Sequence, residues 1–173
     1  MSTGMESNIT IRKAEYADVE RILEIIQQAK EQMRRMNSCQ WQEDYPAVEH
    51  ITDDIEKGYG YVLCGKAGVI AFAAVVFDGE PAYNKIDGKW LSDFPYVVVH
   101  RLAVADEMKQ KGIATFFMRK IEELAKQNGI RSFRVDTNFD NLYMQRILFA
   151  LDFTFCGDIY YDKGKRKAYE KII

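Results

Sequence analysis

Apolar and polar residues alternate along "NITIRKA", Asn8 to Ala14, which predicts a first β-strand. Val19, Ile22, Leu23, Ile26, Ala29 and Met33 then recur at helical spacing. Asp18 caps that predicted helix, and Glu20 and Glu24 lie near its favourable N-terminal end. "NSCQWQEDYP", Asn37 to Pro46, breaks the period and reads as a loop; a shorter helix over Ala47 to Lys57 ends at Gly58. Tyr59 to Cys64 and Val69 to Phe77 flank Gly65-Lys66-Ala67-Gly68, a hairpin pattern. Asp78 to Pro95 is polar, aromatic and broken by glycine and proline, so it reads as one long loop, and such loops are often functional.

The second half is more apolar. "YVVVHRLAV", Tyr96 to Val104, predicts a strand buried on both faces. Ile113, Phe116, Phe117, Ile121, Leu124 and Ala125 form the stripe of a helix over Gly112 to Asn128, stopped by Gly129. A strand over Ser132 to Thr137, a helix over Asn141 to Leu151, and strands over Phe153 to Tyr161 and Lys167 to Ile173 complete the chain. The order β-α-α-β-β-β-α-β-α-β-β implies an α/β domain: a mixed sheet with helices on both faces. At 173 residues and 47% hydrophobic, the chain is sized for one domain with a real core.

Charge narrows the function classes. Lysine and arginine number 24 against 26 aspartates and glutamates, which argues against a nucleic-acid coat or a membrane surface as partner. The polar first ten residues lack a signal-peptide core, and no apolar run reaches the roughly 20 residues of a membrane helix. Cys39, Cys64 and Cys156 are scattered, which suits free thiols in a reducing, cytoplasmic compartment. Neither His50 nor His100 lies in a metal-ligand motif, so no metal is expected.

The junction "KQKGIATFF", Lys109 to Phe117, turns from strand into helix. A helix N-terminus presents unpaired N–H groups and the positive end of the dipole, a natural anion site. Gly112 and Ala114 keep it open, and Lys109 and Lys111 add charge, although neither a P-loop nor G-x-G-x-x-G is present. A plain solvated turn fits the spacing as well.

In context, "HRLAVADEMKQKGIATFFMRKIEELAKQNG" resembles the signature of the GNAT superfamily of acyl-CoA-dependent N-acetyltransferases. Lys109-Gln110-Lys111-Gly112-Ile113-Ala114 stands where that family carries (Arg/Gln)-x-x-Gly-x-(Gly/Ala). "IRKAEYADVERILEII" resembles the family's first strand and helix, and "NLYMQRILFALDF" its N-x-x-A-x-x-x-Y-x-x-x-G-F segment. The likeness runs from about Ile9 to Phe155. It implies a splayed sheet, acetyl-CoA as cosubstrate without metal, and transfer to a primary amine of a small molecule or peptide in a ternary complex. It further implies cofactor contacts from Leu102, Ala103 and Val104, from Lys109, Gln110, Lys111, Gly112, Ile113, Ala114 and Thr115, and from Asn141. Asn141 suits a plain helix cap equally well.

One departure matters. Leu148 occupies the place of the family's tyrosine general acid, and Asp152 that of its glycine. Tyr143 lies about 140° around the helix from Leu148 and is no simple substitute; Tyr160 or Tyr161 could offer another hydroxyl. Leu148 thus leaves open a non-catalytic acyl-CoA-binding or interaction module. His100, two residues before Leu102 and expected on the same strand face, is the candidate base, or else a structural histidine. Arg101 or Arg134 is expected to pair with Asp136, which could alternatively anchor the substrate amine. Trp41, Tyr45 and Trp90, with Glu43 or Asp44, are expected to border an acceptor pocket, to pack over the sheet edge, or to form the contact of a homodimer.

Overall fold

The computed structural model describes residues 8–41, 44–162 and 164–173. Eight strands form one sheet: β1 (Thr10–Lys13), β2 (Gly60–Gly65), β3 (Gly68–Val76), β4 (Asp87–Gly88), β5 (Tyr96–Val104), β6 (Ser132–Asn138), β7 (Thr154–Tyr161) and β8 (Gly164–Ile172). Their spatial order is β1-β2-β3-β5-β6-β8-β7-β4. The helices are α1 (Val19–Arg35), α2 (Val48–Glu56), α3 (Ile113–Gln127) and α4 (Leu142–Ala150). The mixed, splayed α/β architecture expected from the sequence is present, with helices on both faces.

Strand alternation sorts the core between those faces. Ile22, Ile25, Ile26, Ala29 and Met33 of α1 pack on Val62, Phe72 and Ala103. Ile113, Phe117 and Ile121 of α3, with Ile147 and Leu148 of α4, pack on Leu63, Ala71, Val97, Val99 and Val135. Helical spacing delivers each stripe to one face, and the apolar area so buried is the main stabilising term. Asp18 departs from the expected cap. Its carboxylate accepts from both Arg12 Nη atoms at 2.8 and 2.9 Å and from Glu15 N at 2.8 Å, closing the preceding turn rather than α1.

The stretch 78–95, expected to be a plain loop, contains a 3₁₀ turn at Pro81–Lys85 and the short β4, antiparallel to β7. Gly88 sits opposite Gly157 there, and a Cβ on Gly157 would lie 2.3 Å from Asp87 O. Only glycine allows that approach, and a two-residue strand carries too little pattern to be read locally. Beneath it Tyr83 is buried, with Val98, Ile159 and Ala168.

Arg134 and Asp136 do not pair. Arg134 lies between Trp90 and Tyr96, its Cζ 4.2 Å from each ring, with Nε 3.5 Å from buried Glu170. Glu170 also accepts from Leu91 N, Ser92 Oγ and Ser132 Oγ, which pins the end of the long connection to the sheet.

Leu148 is fully buried on the α3–α4 face. Asp152 stands at φ 68° just beyond α4, and Phe153 N closes the turn onto Leu148 O at 2.9 Å. This left-handed C-terminal position is the reason glycine is usual there, and aspartate tolerates it better than most residues. Leu148→Tyr would overpack the core, so we expect a stability loss of about 1–3 kcal/mol, read as a lowered thermal midpoint. An unchanged midpoint would contradict this placement.

Candidate functional site

The parallel pair β5–β6 is joined only at Tyr96↔Ser132, Val97↔Phe133 and Val98↔Arg134. Beyond Val98 the strands part, and a cleft opens between Val99–Val104 and Val135–Thr137. The parting coincides with an irregularity in β5. Arg101 has φ 55°, and the register with β3 shifts between Phe72 and Ala74. This bulge overturns the expectation that His100 and Leu102 share a face. Leu102 packs with the α3-side cluster, as do Val97 and Val99, whereas His100 is offset from them. The period-two rule fails where an extra residue is inserted.

The bulged Arg101 does not meet Asp136 either. Its Nε and Nη2 donate to the two Asp54 carboxylate oxygens of α2 at 2.7 and 2.6 Å, and Nη1 donates to Tyr45 Oη at 2.9 Å. Burial opposes the guanidinium charge, but Asp54 and Tyr45 outweigh it and raise its pKa. Asp136 takes hydroxyl hydrogens from Tyr83 at 2.7 Å and Tyr161 at 2.9 Å, both on Oδ2. Burial and the Asp136 charge push both tyrosines upward, so Tyr161 holds its proton. Tyr160 is exposed.

Ala105 N donates to Ile70 O at 2.9 Å, so the backbone of Ala105, and by alternation that of Ala103, faces β3. Leu102 and Val104 therefore turn their N–H and C=O groups toward the cleft. At its far end Gly112, at φ 73°, leads into α3, and Gln110 is also left-handed at φ 61°. Gln110, Lys111 and Gly112 are exposed, Thr115 is half-buried, and Ile113 and Ala114 are buried at the first turn. Lys109 is half-buried, its Nζ 5.9 Å from the Tyr143 ring, and burial lowers its pKa.

Asn141 caps α4: its Oδ1 accepts from Met144 N at 3.1 Å, and its Nδ2 donates to Gln40 Oε1 at 3.0 Å. Gln40 Oε1 also accepts from Thr137 Oγ1 and Asn138 N, both at 3.0 Å. Gln40 thus ties the loop after α1 to the end of β6. Nothing in its local sequence signals this, because its partners lie about a hundred residues away.

A second cavity, of about 630 Å³, meets the cleft at Tyr45, His100, Arg101 and Asp136, which line both. His100 Nε2 lies 3.6 Å from Glu80 Oε2, and His100 holds the Glu80 carboxyl below its usual range despite burial. Glu80 escaped the sequence reading because only the folded connection brings it to β5. Of the aromatic residues expected here, Trp41 lines the cleft and Tyr45 both spaces, while Trp90 covers Arg134 instead. Asp44 lies outside the lining and Glu43 outside the described residues.

With this geometry, the sequence matches the acetyltransferase (GNAT) family over residues 22–152, about three quarters of the chain. The chain belongs to the GNAT acetyltransferase family. A crystal structure of a GNAT-family acetyltransferase from Streptococcus agalactiae 2603 superposes with a TM-score of 0.86 at 34% identity, covering 95% of each chain. A GNAT-family acetyltransferase from Listeria monocytogenes 4b F2365 shares the fold at a TM-score of 0.76 and 18% identity, covering 95% of each chain. Agmatine N-acetyltransferase shares it at 0.67 and 14%, covering 96% of this chain and 100% of that one. No curated protein matches the sequence.

Among the described residues of this GNAT chain, no helix is long and apolar enough to cross a membrane. No group of three or more histidine, cysteine, aspartate or glutamate side chains among them could hold a metal.

Asp54→Ala would strand Arg101 buried and unpaired beside the cleft. We expect a loss of about 3–5 kcal/mol in denaturant unfolding, the penalty of an uncompensated buried charge. A loss below about 1 kcal/mol would mean that water reaches Arg101 readily.

Proposed function

We propose that this chain transfers the acetyl group of acetyl-CoA to a primary amine by direct attack in a ternary complex. One observation carries the reading: the edge of β5 freed from β6 runs into the open Gly112 turn, and the second cavity meets that cleft at His100. The residues fit the cosubstrate. Leu102 and Val104 offer backbone groups to an extended amide-bearing arm, as an added strand would use them. Ala103 contributes a small buried side chain instead, and Ala114 keeps the start of α3 close. The N–H groups at the first turn of α3 suit a pyrophosphate, with Lys109 and Lys111 adding charge; Lys109 N itself closes onto Asp106 O at 3.1 Å. Asn141 orders the cleft wall through Gln40 and the first turn of α4.

Acetyl-CoA would supply an activated thioester. A cleft-facing N–H of β5 would polarise its carbonyl, in a setting where such donors need no reorganisation. His100, steadied by the Glu80 carboxylate, takes the proton released as the amine forms its new bond to carbon. Leu148 offers no hydroxyl, and Tyr161 keeps its proton. The thiolate therefore departs without the acid that a tyrosine at position 148 would supply, which is feasible because a simple thiol has a pKa of only about 8.5. The buried Leu148 also favours a second reading, a non-catalytic acyl-CoA-binding module. Release of free thiol from acetyl-CoA across a panel of primary amines decides between them: none released while acetyl-CoA binds would favour the binding module.

Gly112→Val forces a β-branched residue into a left-handed turn at the phosphate site. We expect calorimetric titration to show at least about tenfold weaker coenzyme A binding by a folded variant, equal to about 1.4 kcal/mol. Unchanged affinity would remove the loop from the cofactor site. His100→Gln keeps much of the volume without the basic ring nitrogen. It should spare coenzyme A binding and lower kcat by about 100-fold. A wild-type rate in that variant would place the base elsewhere.

A further inference from the structure

Charge in the second cavity is unevenly placed. Its lining carries five carboxylates, on Asp53, Asp54, Glu80, Asp136 and Asp162, against the three permanent cations of Lys57, Arg101 and Arg166. Two of those cations, Arg101 and Arg166, also line the acyl cleft and so stand at the junction. Away from the junction the cavity has one lysine against Asp53, Asp54, Glu80 and Asp162. Asp54 is spent on Arg101, Asp53 meets Lys57 at 2.9 Å, and Glu80 faces His100 at 3.6 Å. Asp162 is exposed at the end of β7.

Asp136 adds an independent sign. Its side chain is only 6% exposed, yet it lines both spaces. Both tyrosine hydroxyls go to Oδ2. Among the described residues Oδ1 has only Arg166 Nη1 at 4.0 Å, beyond hydrogen-bond distance. This oxygen is not fully enclosed, so it is open to the cavity, where it can accept an incoming N–H.

We propose that the acceptor is a small alkyl diamine or polyamine. Its reacting amine sits at the junction against Asp136 Oδ1 and His100, and its second, protonated amine lies in the outer half near Glu80 and Asp162. Attack needs the reacting amine neutral; Asp136 favours its proton, the neighbouring arginines oppose it, and His100 stands beside it to take it. The outer carboxylates favour the charge that the second amine keeps, and the Tyr45 and Tyr59 rings suit an ammonium. An α-amino acid fits less well, because its carboxylate would meet the acidic outer half. The proposal rests on the acetyltransferase reading.

The test compares thiol release from acetyl-CoA with n-butylamine, 1,4-diaminobutane, spermidine and L-alanine as acceptors. We expect kcat/KM for 1,4-diaminobutane or spermidine to exceed that for n-butylamine by about tenfold or more, with L-alanine poorest. The diamine advantage should narrow at higher salt, and in both Asp162→Asn and Glu80→Gln. Asp162 is exposed, so its variant keeps the fold, and the ratio of two substrates cancels any general loss. Equal use of n-butylamine, preference for L-alanine, or a ratio unmoved in both variants would overturn the acceptor assignment alone. Binding of acetyl-CoA with no thiol release to any amine would overturn the transferase reading, and this proposal with it.

Discussion

The candidate site depends on a β-pairing that stops early. Three residue pairs join β5 to β6, and then the strands separate. Backbone polar groups cannot be left buried without partners, so an unzipped central strand is sustained only if something else meets its N–H and C=O groups. Between β5 and β6 the result is a slot whose walls are Val99, Ala103, Ala114 and Val135 and whose floor is unused backbone. Such a slot recognises an extended amide chain by its main-chain-like chemistry and asks little of side chains. The side-chain departures in the glycine loop are tolerable for the same reason.

The bulge at Arg101 sets how the rest of β5 is presented. By inserting a residue it places His100 toward the second cavity and returns Leu102 and Val104 to the α3-side core. It also sends Arg101 sideways into Asp54 of α2. One local irregularity thus couples the cleft, His100 and the helix that walls the second cavity. The buried ion pair is weak evidence for stability, since desolvation offsets much of its attraction. Its clearer effect is to hold α2 against β5 in one orientation.

The two spaces that meet at His100 differ in chemistry. The cleft is narrow and apolar along its walls, with cations and helix N–H groups at its far end. The second cavity is wider and carries acidic groups, with arginines confined to the junction. The boundary between them thus has backbone donors on one side and carboxylates with His100 on the other. The Asp136 carboxylate, held by two tyrosine hydroxyls, stands fixed where the strands part.

By itself the sequence determined what repeats at short range. The stripes Ile22–Met33 and Ile113–Ala125, the apolar run at Tyr96–Val104 and the glycine turn at Gly112 each follow from residues within one or two turns or strands, and together they implied the α/β order, while the resemblance of the Gly112 loop to the family signature implied a cofactor contact there. Tertiary structure decided what depends on distant partners. The bulge at Arg101 left no trace in "VHRLA". The pairing of Arg101 with Asp54 spans 47 residues, Tyr83 with Asp136 spans 53, and Asn141 with Gln40 spans 101. Opposite charges and hydroxyls have many candidate mates in a chain that is 29% charged, and only the packed sheet selects among them. The same holds for β4, which exists because Gly157 leaves room for Gly88 to cross it. Local periodicity is an intrinsic property of the chain, whereas the second cavity is assembled from side chains that meet only once the sheet has closed around them.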